Sequence, residues 1–317
     1  MPEQSEVLTI VDGLDFYLCR KIIKSAEFLS GKYEDNPPDG FDEFVKSLPI
    51  TIEKVFCKGK LPVFNMKEID GDDKWWLLNS LRMTGTWQLE QGNKEHTRFK
   101  FTFEPKEENG VFDIDEIFYI DPRGLGTFEF INDEDTKEKK LNALAPCFIG
   151  PKEYRIDYKT FYDNIKTSKK SLLTSKLQDQ KSICSGIGNY LLSEIMYECG
   201  FHPTIKCNEL TDDDIQSLFD NSKKIITSSY NHGGMSMRDY VNIYGEEGKY
   251  EKELKVYGKK GKTDPYGNKV LSLKRGNGQT LWYVPGLQQK KEVTPKKEKN
   301  KKKVEKEIEI SFDEEDD

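Results

Sequence analysis

No apolar run in this chain approaches the roughly 20 residues that a helix needs to cross a bilayer. Histidine is scarce, with three in 317 residues. The six cysteines stand apart at positions 19, 57, 147, 184, 199 and 207, and no two form a C-x-x-C pair. A structural zinc site draws on paired Cys or His ligands, so the expected metal complement is none, and no cofactor is expected. Scattered thiols suit a reducing compartment rather than a disulfide framework. The first residues show neither a basic region nor an apolar stretch, so no secretory signal is expected. The resulting expectation is a soluble intracellular protein with no membrane partner. An excess of positive charge is also missing, the net charge being −7. That argues weakly against nucleic acid as a partner, because binding needs one basic face rather than a basic total.

What is present suffices for two domains, with 33% charged and 35% hydrophobic residues. Glu3 to about Leu18 reads as a helix, opened by Pro2 and favoured by Glu3 and Glu6 at the positive end of its dipole. Ile22 to Leu29 reads as a strand. Ile52–Phe56, Trp75–Met83, Thr86–Leu89, Thr97–Phe103, Ile117–Ile120 and Thr127–Ile131 are short β-type runs between Gly, Asp and Asn turns. Strands at this spacing predict a β-sandwich or barrel. Asp133 to Lys140 reads as a charged loop. From Tyr158 the period is helical: Phe161, Ile165, Leu172, Leu173 and Leu177 form one segment, and Tyr190–Glu198 a second. Asp212–Ser229 is a third, with Thr211 as N-cap. Residues 249–288 are basic and strand-like, with Val256-Tyr257-Gly258 and Thr280–Tyr283 as the two strands of a hairpin. Residues 290–317, lysine-rich and then acidic, carry too few hydrophobes to fold and read as a disordered tail.

Several residues could carry chemistry. Removal of Met1 would leave Pro2 as a secondary amine able to attack an electrophilic carbon and form an iminium ion. An α-amine titrates near roughly 8, and a helix N-terminus disfavours its charged form. Glu3, one residue on, could pass a proton to a sugar. The same Pro-Glu start also simply opens a helix. Lys60, in Cys57-Lys58-Gly59-Lys60-Leu61, is either a solvated turn lysine or a cation for a phosphate. Met83, Arg123 and Leu125 lie in turn-rich stretches and could together fill the space left by an extruded base. The turn Ser185-Gly186-Ile187-Gly188-Asn189 could present backbone N–H groups to a phosphate, with Asn189 either joining in or capping the next helix. Lys252, Lys255, Lys259, Lys260, Lys262, Lys269, Lys274 and Arg275 form a basic footprint.

These elements, in this order, resemble the formamidopyrimidine-DNA glycosylase and endonuclease VIII family over nearly all of residues 1–289. The resemblance rests on Pro2-Glu3…Glu6-Val7, Lys60 before an apolar strand, Met83-Thr84-Gly85-Thr86 and Asp121-Pro122-Arg123. It continues through Asp179-Gln180…Gly186-Ile187-Gly188-Asn189, Gly200-Phe201-His202-Pro203, Gly233-Gly234 and Leu254-Lys255-Val256-Tyr257-Gly258. It implies an α+β fold with three parts. These are an N-terminal helix plus β-sandwich domain at 1–145, a helical helix–two-turn–helix domain at 153–247, and a β-hairpin finger at 248–289. It implies a monomer that excises damaged bases from DNA (duplex, bubble or single-stranded) and cuts the abasic product by β,δ-elimination. Pro2 would be the nucleophile, Glu3 and Lys60 catalytic partners, and Glu6 a structural carboxylate nearby. Lys60, Asn189 and Arg275 would hold DNA phosphates, and Met83, Arg123 and Leu125 would fill the void.

Two departures stand out. Where the family's zinc finger would have Cys-x-x-Cys, this chain has Thr263-Asp264-Pro265-Tyr266-Gly267 and Val284-Pro285-Gly286-Leu287, so a zincless finger is expected. Where the finger's arginine would align, the chain has Gln279, and Arg275 or Lys274 would have to compensate. Leu125 in place of phenylalanine points to the endonuclease VIII branch, hence to oxidised pyrimidines and hydantoins. The alternatives are a purine-oriented enzyme for 8-oxoguanine and formamidopyrimidine, and a non-catalytic DNA-binding protein.

Overall fold

Eight antiparallel strands occupy the first part of the chain, and one helix joins them to the helical part that follows. The computed structural model describes residues 2–105, 114–236 and 240–289. Met1 and the stretch read as a disordered tail lie outside the described residues.

Helix α1 spans Gln4–Leu18. Pro2 lies outside it rather than in its first turn. Glu3 is the N-cap, extended at φ −101°, and its N–H donates to Glu6 Oε2 at 2.7 Å. Strand β1 (Ile22–Phe28) and the short helix α2 (Phe41–Lys46) come next. Then follow β2 (Ile50–Lys58), β3 (Leu61–Glu68), β4 (Lys74–Ser80), β5 (Thr86–Gln88), β6 (Thr97–Phe103), β7 (Glu116–Ile120) and β8 (Thr127–Ile131). They form one sheet in the order β5-β7-β6-β1-β2-β3-β4-β8. The run expected to continue to Met83 stops at Ser80, because the chain turns at Arg82, whose φ is +54°.

Alternation in β6 puts Phe99, Phe101 and Phe103 on one buried face. The sheet folds over so that its ends meet. Tyr119 of β7 and Phe128 of β8 pack edge-to-face at 4.9 Å, and Trp87 of β5 lies 5.2 Å from Phe64 of β3. The Trp87 indole donates to Asn79 Oδ1 of β4 at 2.9 Å. Each such ring taken from water is worth roughly 1.5–3 kcal/mol, and this is what closes the sandwich.

Helix α3 (Glu134–Asn142) replaces the charged loop expected at Asp133–Lys140. Asp133 caps it by accepting the Thr136 N–H at 2.8 Å, and only Lys137 and Leu141 are buried, so no apolar stripe announces it. Helices α4 (Tyr158–Thr167), α5 (Leu173–Gln178), α6 (Asn189–Glu198) and α7 (Asp212–Asn231) enclose a second core built on Phe161, Leu177, Ile195 and Ile226. The single helical segment expected from Tyr158 to Leu177 is two helices, broken where Lys169 takes φ +46°. Thr211 caps α7, accepting from Asp214 N–H. α1 packs on β2 on one side and on α7 on the other, with Ser5 Oγ donating to Ile226 O at 3.2 Å.

The hairpin is β9 (Leu271–Lys274) with β10 (Thr280–Tyr283). Val256-Tyr257-Gly258, expected as one of its strands, is a turn instead. The N–H groups of Val256 and Tyr257 donate to Glu194 Oε1 at 3.0 and 2.8 Å, so no ladder can form there. Among the described residues, no helix is long and apolar enough to cross a membrane.

Candidate active site

Pro2, Lys60, Arg82, Gly188 and Arg275 line one cavity of about 420 Å³ between the sandwich, the helical part and the hairpin. Three local features bring Pro2, Lys60 and Gly188 there. Pro2 and the N-cap Glu3 immediately precede α1. The tight β2–β3 turn carries Lys60, its Gly59 lying so close to Ser185 that a Cβ would meet Ser185 Oγ at 2.5 Å. The turn at 185–188 supplies the facing wall.

The Glu3 carboxylate sits on the amino end of α6. It accepts the N–H groups of Gly188 at 2.6 Å, Tyr190 at 2.9 Å and Leu191 at 3.3 Å. The turn expected to offer its amides to a phosphate spends them within the protein: Gly188 N–H goes to Glu3, Gly186 N–H to Gln180 Oε1 at 2.7 Å and Ser185 N–H to Pro146 O at 2.9 Å. Its glycines serve the docking of α1: a Cβ on Gly188 would fall 2.2 Å from Glu3 Cδ, and one on Gly186 2.5 Å from Gln4 Oε1. Burial lifts the Glu3 pKa to about 7 against the opposing pull of Lys60, and Glu6 adds to the rise. At neutral pH this carboxyl is thus protonated in a large share of molecules. Burial lowers the Lys60 pKa, with Glu3 and Glu6 resisting the fall.

Glu6 is fully buried and ties three segments together. Its Oε2 accepts Glu3 N–H at 2.7 Å. Its Oε1 accepts the Tyr190 hydroxyl at 2.6 Å and Met235 N–H at 2.7 Å. Burial raises its pKa, and the Tyr190 hydroxyl opposes that most. One carboxylate therefore fixes the peptide next to Pro2, helix α6 and the segment after α7.

Asn189 is the first residue of α6 and does not cap it; Gly188 holds the cap position. Its Nδ2 donates to Thr280 O of β10 at 2.8 Å, clasping the hairpin to the helix, and its Oδ1 is buried without a partner. Arg275 reaches back from the hairpin to Gln178 Oε1, to Ser175 Oγ at 3.2 Å and to Gln279 Oε1 at 3.4 Å. All three are neutral oxygens, so the guanidinium keeps its charge while facing the cavity. Met83 and Leu125, 40% and 41% exposed, and Arg123, also exposed, project from two neighbouring turns.

Residues 248–289 contain no cysteine and no histidine, the side chains on which a structural zinc site draws. Among the described residues, no group of three His, Cys, Asp or Glu is arranged for a metal. Buried Asp264 is committed elsewhere: it accepts the Tyr197 hydroxyl at 2.9 Å, Asn268 N–H at 2.7 Å and Tyr266 N–H at 3.0 Å. Sequence reasoning missed Tyr190, Glu194 and Asp264. For Glu194 a signal existed, a carboxylate amid the apolar Leu191, Leu192, Ile195 and Met196; for Tyr190 and Asp264 there was none.

Residues 1–128 match the formamidopyrimidine-DNA glycosylase N-terminal domain, and residues 149–241 match the formamidopyrimidine-DNA glycosylase H2TH domain. The chain is 32% identical to a formamidopyrimidine-DNA glycosylase of Listeria innocua over 257 residues, covering 80% of this chain and 86% of the relative. It is 30% identical to one of Oceanobacillus iheyensis over 268 residues, covering 83% and 88%. Among solved structures, it resembles Lactococcus lactis Fpg bound to DNA containing an abasic site, with a TM-score of 0.74 and 26% identity. It also resembles MutM bound to DNA containing carbocyclic 8-oxo-G, with a TM-score of 0.75 and 27% identity. Both likenesses cover 91% of this chain and 100% of the other. With its N-terminal and H2TH regions both matched and relatives at this identity along most of its length, the chain belongs to the formamidopyrimidine-DNA glycosylase family.

Proposed function

We propose that this chain is a base-excision-repair DNA glycosylase that also cleaves the abasic site it makes, with the Pro2 amine as nucleophile once Met1 is removed. One observation carries the reading: Pro2 opens onto a cavity shared with Lys60, beside a buried carboxyl whose pKa is about 7. The Pro2 nitrogen attacks C1′ of the damaged nucleotide, and the glycosidic bond breaks with its electron pair on the departing base, which takes up the proton that the Pro2 amine loses. Glu3, protonated, delivers its proton to the ring oxygen as the sugar opens and the nitrogen–C1′ bond becomes an iminium. Loss of a C2′ proton then expels the 3′ phosphate, and a second elimination expels the 5′ phosphate. Lys60, Asn189 and Arg275 hold the backbone, and Met83, Arg123 and Leu125 occupy the vacated stack.

The substrate class is oxidised pyrimidines and hydantoins, supported by Leu125 at the void-filling position. A second reading, 8-oxoguanine and formamidopyrimidine, is supported by the names of the relatives and by the 8-oxo-G bound to MutM. Borohydride trapping on abasic-site DNA tests the chemistry. The chain freed of Met1 should be trapped and Pro2→Gly should not; equal trapping of both sinks the nucleophile. A chain that binds DNA but is never trapped is the non-catalytic alternative. Excision from thymine-glycol and 8-oxoguanine duplexes decides the lesion class.

A further inference from the structure

Met83 and the pair Arg123 and Leu125 stand on different turns, β4–β5 and β7–β8, and a single buried carboxylate joins the two. Asp121 is fully buried. Its Oδ1 accepts the Thr84 hydroxyl at 2.5 Å and the Arg123 N–H at 3.2 Å, and its Oδ2 accepts the Gly126 N–H at 2.7 Å. The neighbours of all three void-filling residues thus converge on one side chain. Among the described residues no cation pairs directly with this carboxylate; the Arg98 guanidinium donates instead to the Asp121 and Pro122 carbonyl oxygens at 2.8 and 3.2 Å and to Ser30 Oγ at 2.9 Å. A buried carboxylate without a cation is expensive and persists only when hydrogen bonds satisfy it. A surface turn needs the Arg123 amide contact, but not the bond to Thr84 on another loop.

A second contact repeats the coupling. The Tyr119 hydroxyl is buried and sits between Gly85 of the first turn and Gly126 of the second. A Cβ on Gly85 or Gly126 would fall 2.0 or 1.9 Å from that oxygen. Both turns are pressed onto one phenol, and any side chain at either glycine would force them apart.

We infer that Asp121 is a positioning residue that locks Met83, Arg123 and Leu125 into one rigid wedge, needed where a base must be driven out of a stack. The inference rests on the void-filling role proposed above. Opening a stacked step costs a few kcal/mol, and a wedge that yields on insertion cannot hold it open. A lesion already unstacked in a single strand makes no such demand. The dependence on Asp121 is therefore selective for duplex substrate.

The test compares excision of one lesion from a duplex and from a single strand, in the wild type and in Asp121→Asn, Thr84→Val and Met83→Ala, with each melting temperature recorded. Asp121→Asn should lose about tenfold or more on the duplex and stay within about twofold on the single strand, the loss expected when a few kcal/mol of stack opening goes unsupported. Thr84→Val, which keeps the carboxylate, should show the same selectivity in smaller measure and carries the test if Asp121→Asn does not fold. Equal losses on both substrates, or no duplex loss, overturn the inference. If Met83→Ala shows duplex-selective loss and the Asp121 and Thr84 variants do not, the wedge stands and the positioning role falls. If no variant is duplex-selective, the wedge itself fails and the inference with it.

Discussion

The carboxylate of Glu3 takes the amide of Gly188 at 2.6 Å, across a sequence separation of 185 residues. Two opposed influences meet in that contact. The amino end of α6 favours the anion, whereas burial disfavours it. Burial wins, and a carboxyl that would titrate near 4.5 titrates near 7.

The first prediction concerns pH. In the mechanism proposed above, excision needs Glu3 protonated, so activity falls as pH rises through about 7; it needs the Pro2 amine free, so activity rises toward roughly 8. The expected kcat/KM profile is a bell centred near about 7.5. Glu3→Gln should lose activity by about a hundredfold or more and flatten the alkaline limb. Stability follows the same group. The folded state retains a proton that the unfolded chain loses above about 4.5, so stability falls across the window from 4.5 to about 7. Denaturant midpoints measured between pH 5 and 8 check this.

Tyr190→Phe removes the hydroxyl that Glu6 accepts and leaves Glu6 buried with one donor fewer. The expected result is a trapping rate lowered by about tenfold with DNA affinity unchanged, since the loss falls on the peptide beside Pro2 rather than on the phosphate grip. Single-turnover trapping with a parallel binding titration reads the two separately.

Arg275→Gln should weaken DNA binding by about tenfold and reduce the salt dependence of log K by about one unit, the signature of one lost phosphate contact. The exchange Arg275→Gln with Gln279→Arg should restore both. Unaltered binding by Arg275→Gln would show that Arg275 contacts Gln178, Ser175 and Gln279 only to hold the hairpin.

A chelator should leave DNA binding and melting unchanged, because Asp264 pins the hairpin region through Tyr197, Tyr266 and Asn268. Asp264→Ala strips those donors of their acceptor. It should lower the melting temperature by about 2–4 °C and weaken DNA binding. A chelator effect comparable to the mutation would mean that the hairpin region holds a metal.

The sequence made α1, β6 and the capped start of α7 readable, since Glu3, the alternating Phe99-x-Phe101-x-Phe103 and Thr211 are local signals. It hid α3, which buries so little that only its Asp133 cap distinguishes it from a loop. It misplaced a strand at Val256–Gly258, because β-type residues there give their amides to Glu194 on another helix. At the site, motif order brought out Pro2, Glu3 and Lys60, but nothing local could show that the Gly188 amide and those opening α6 close on the Glu3 carboxylate. That pairing exists only once the chain has folded back on itself.

α1 is a wall of the sandwich and at the same time a neighbour of α7. The helical half is consequently not a transferable cassette. Produced by itself it would bare the seat that α1 occupies, with Tyr190 and Ile226 turned toward water, and it would aggregate. Gene fusion could pass this DNA-gripping module to another enzyme only by carrying the amino-terminal helix along with it.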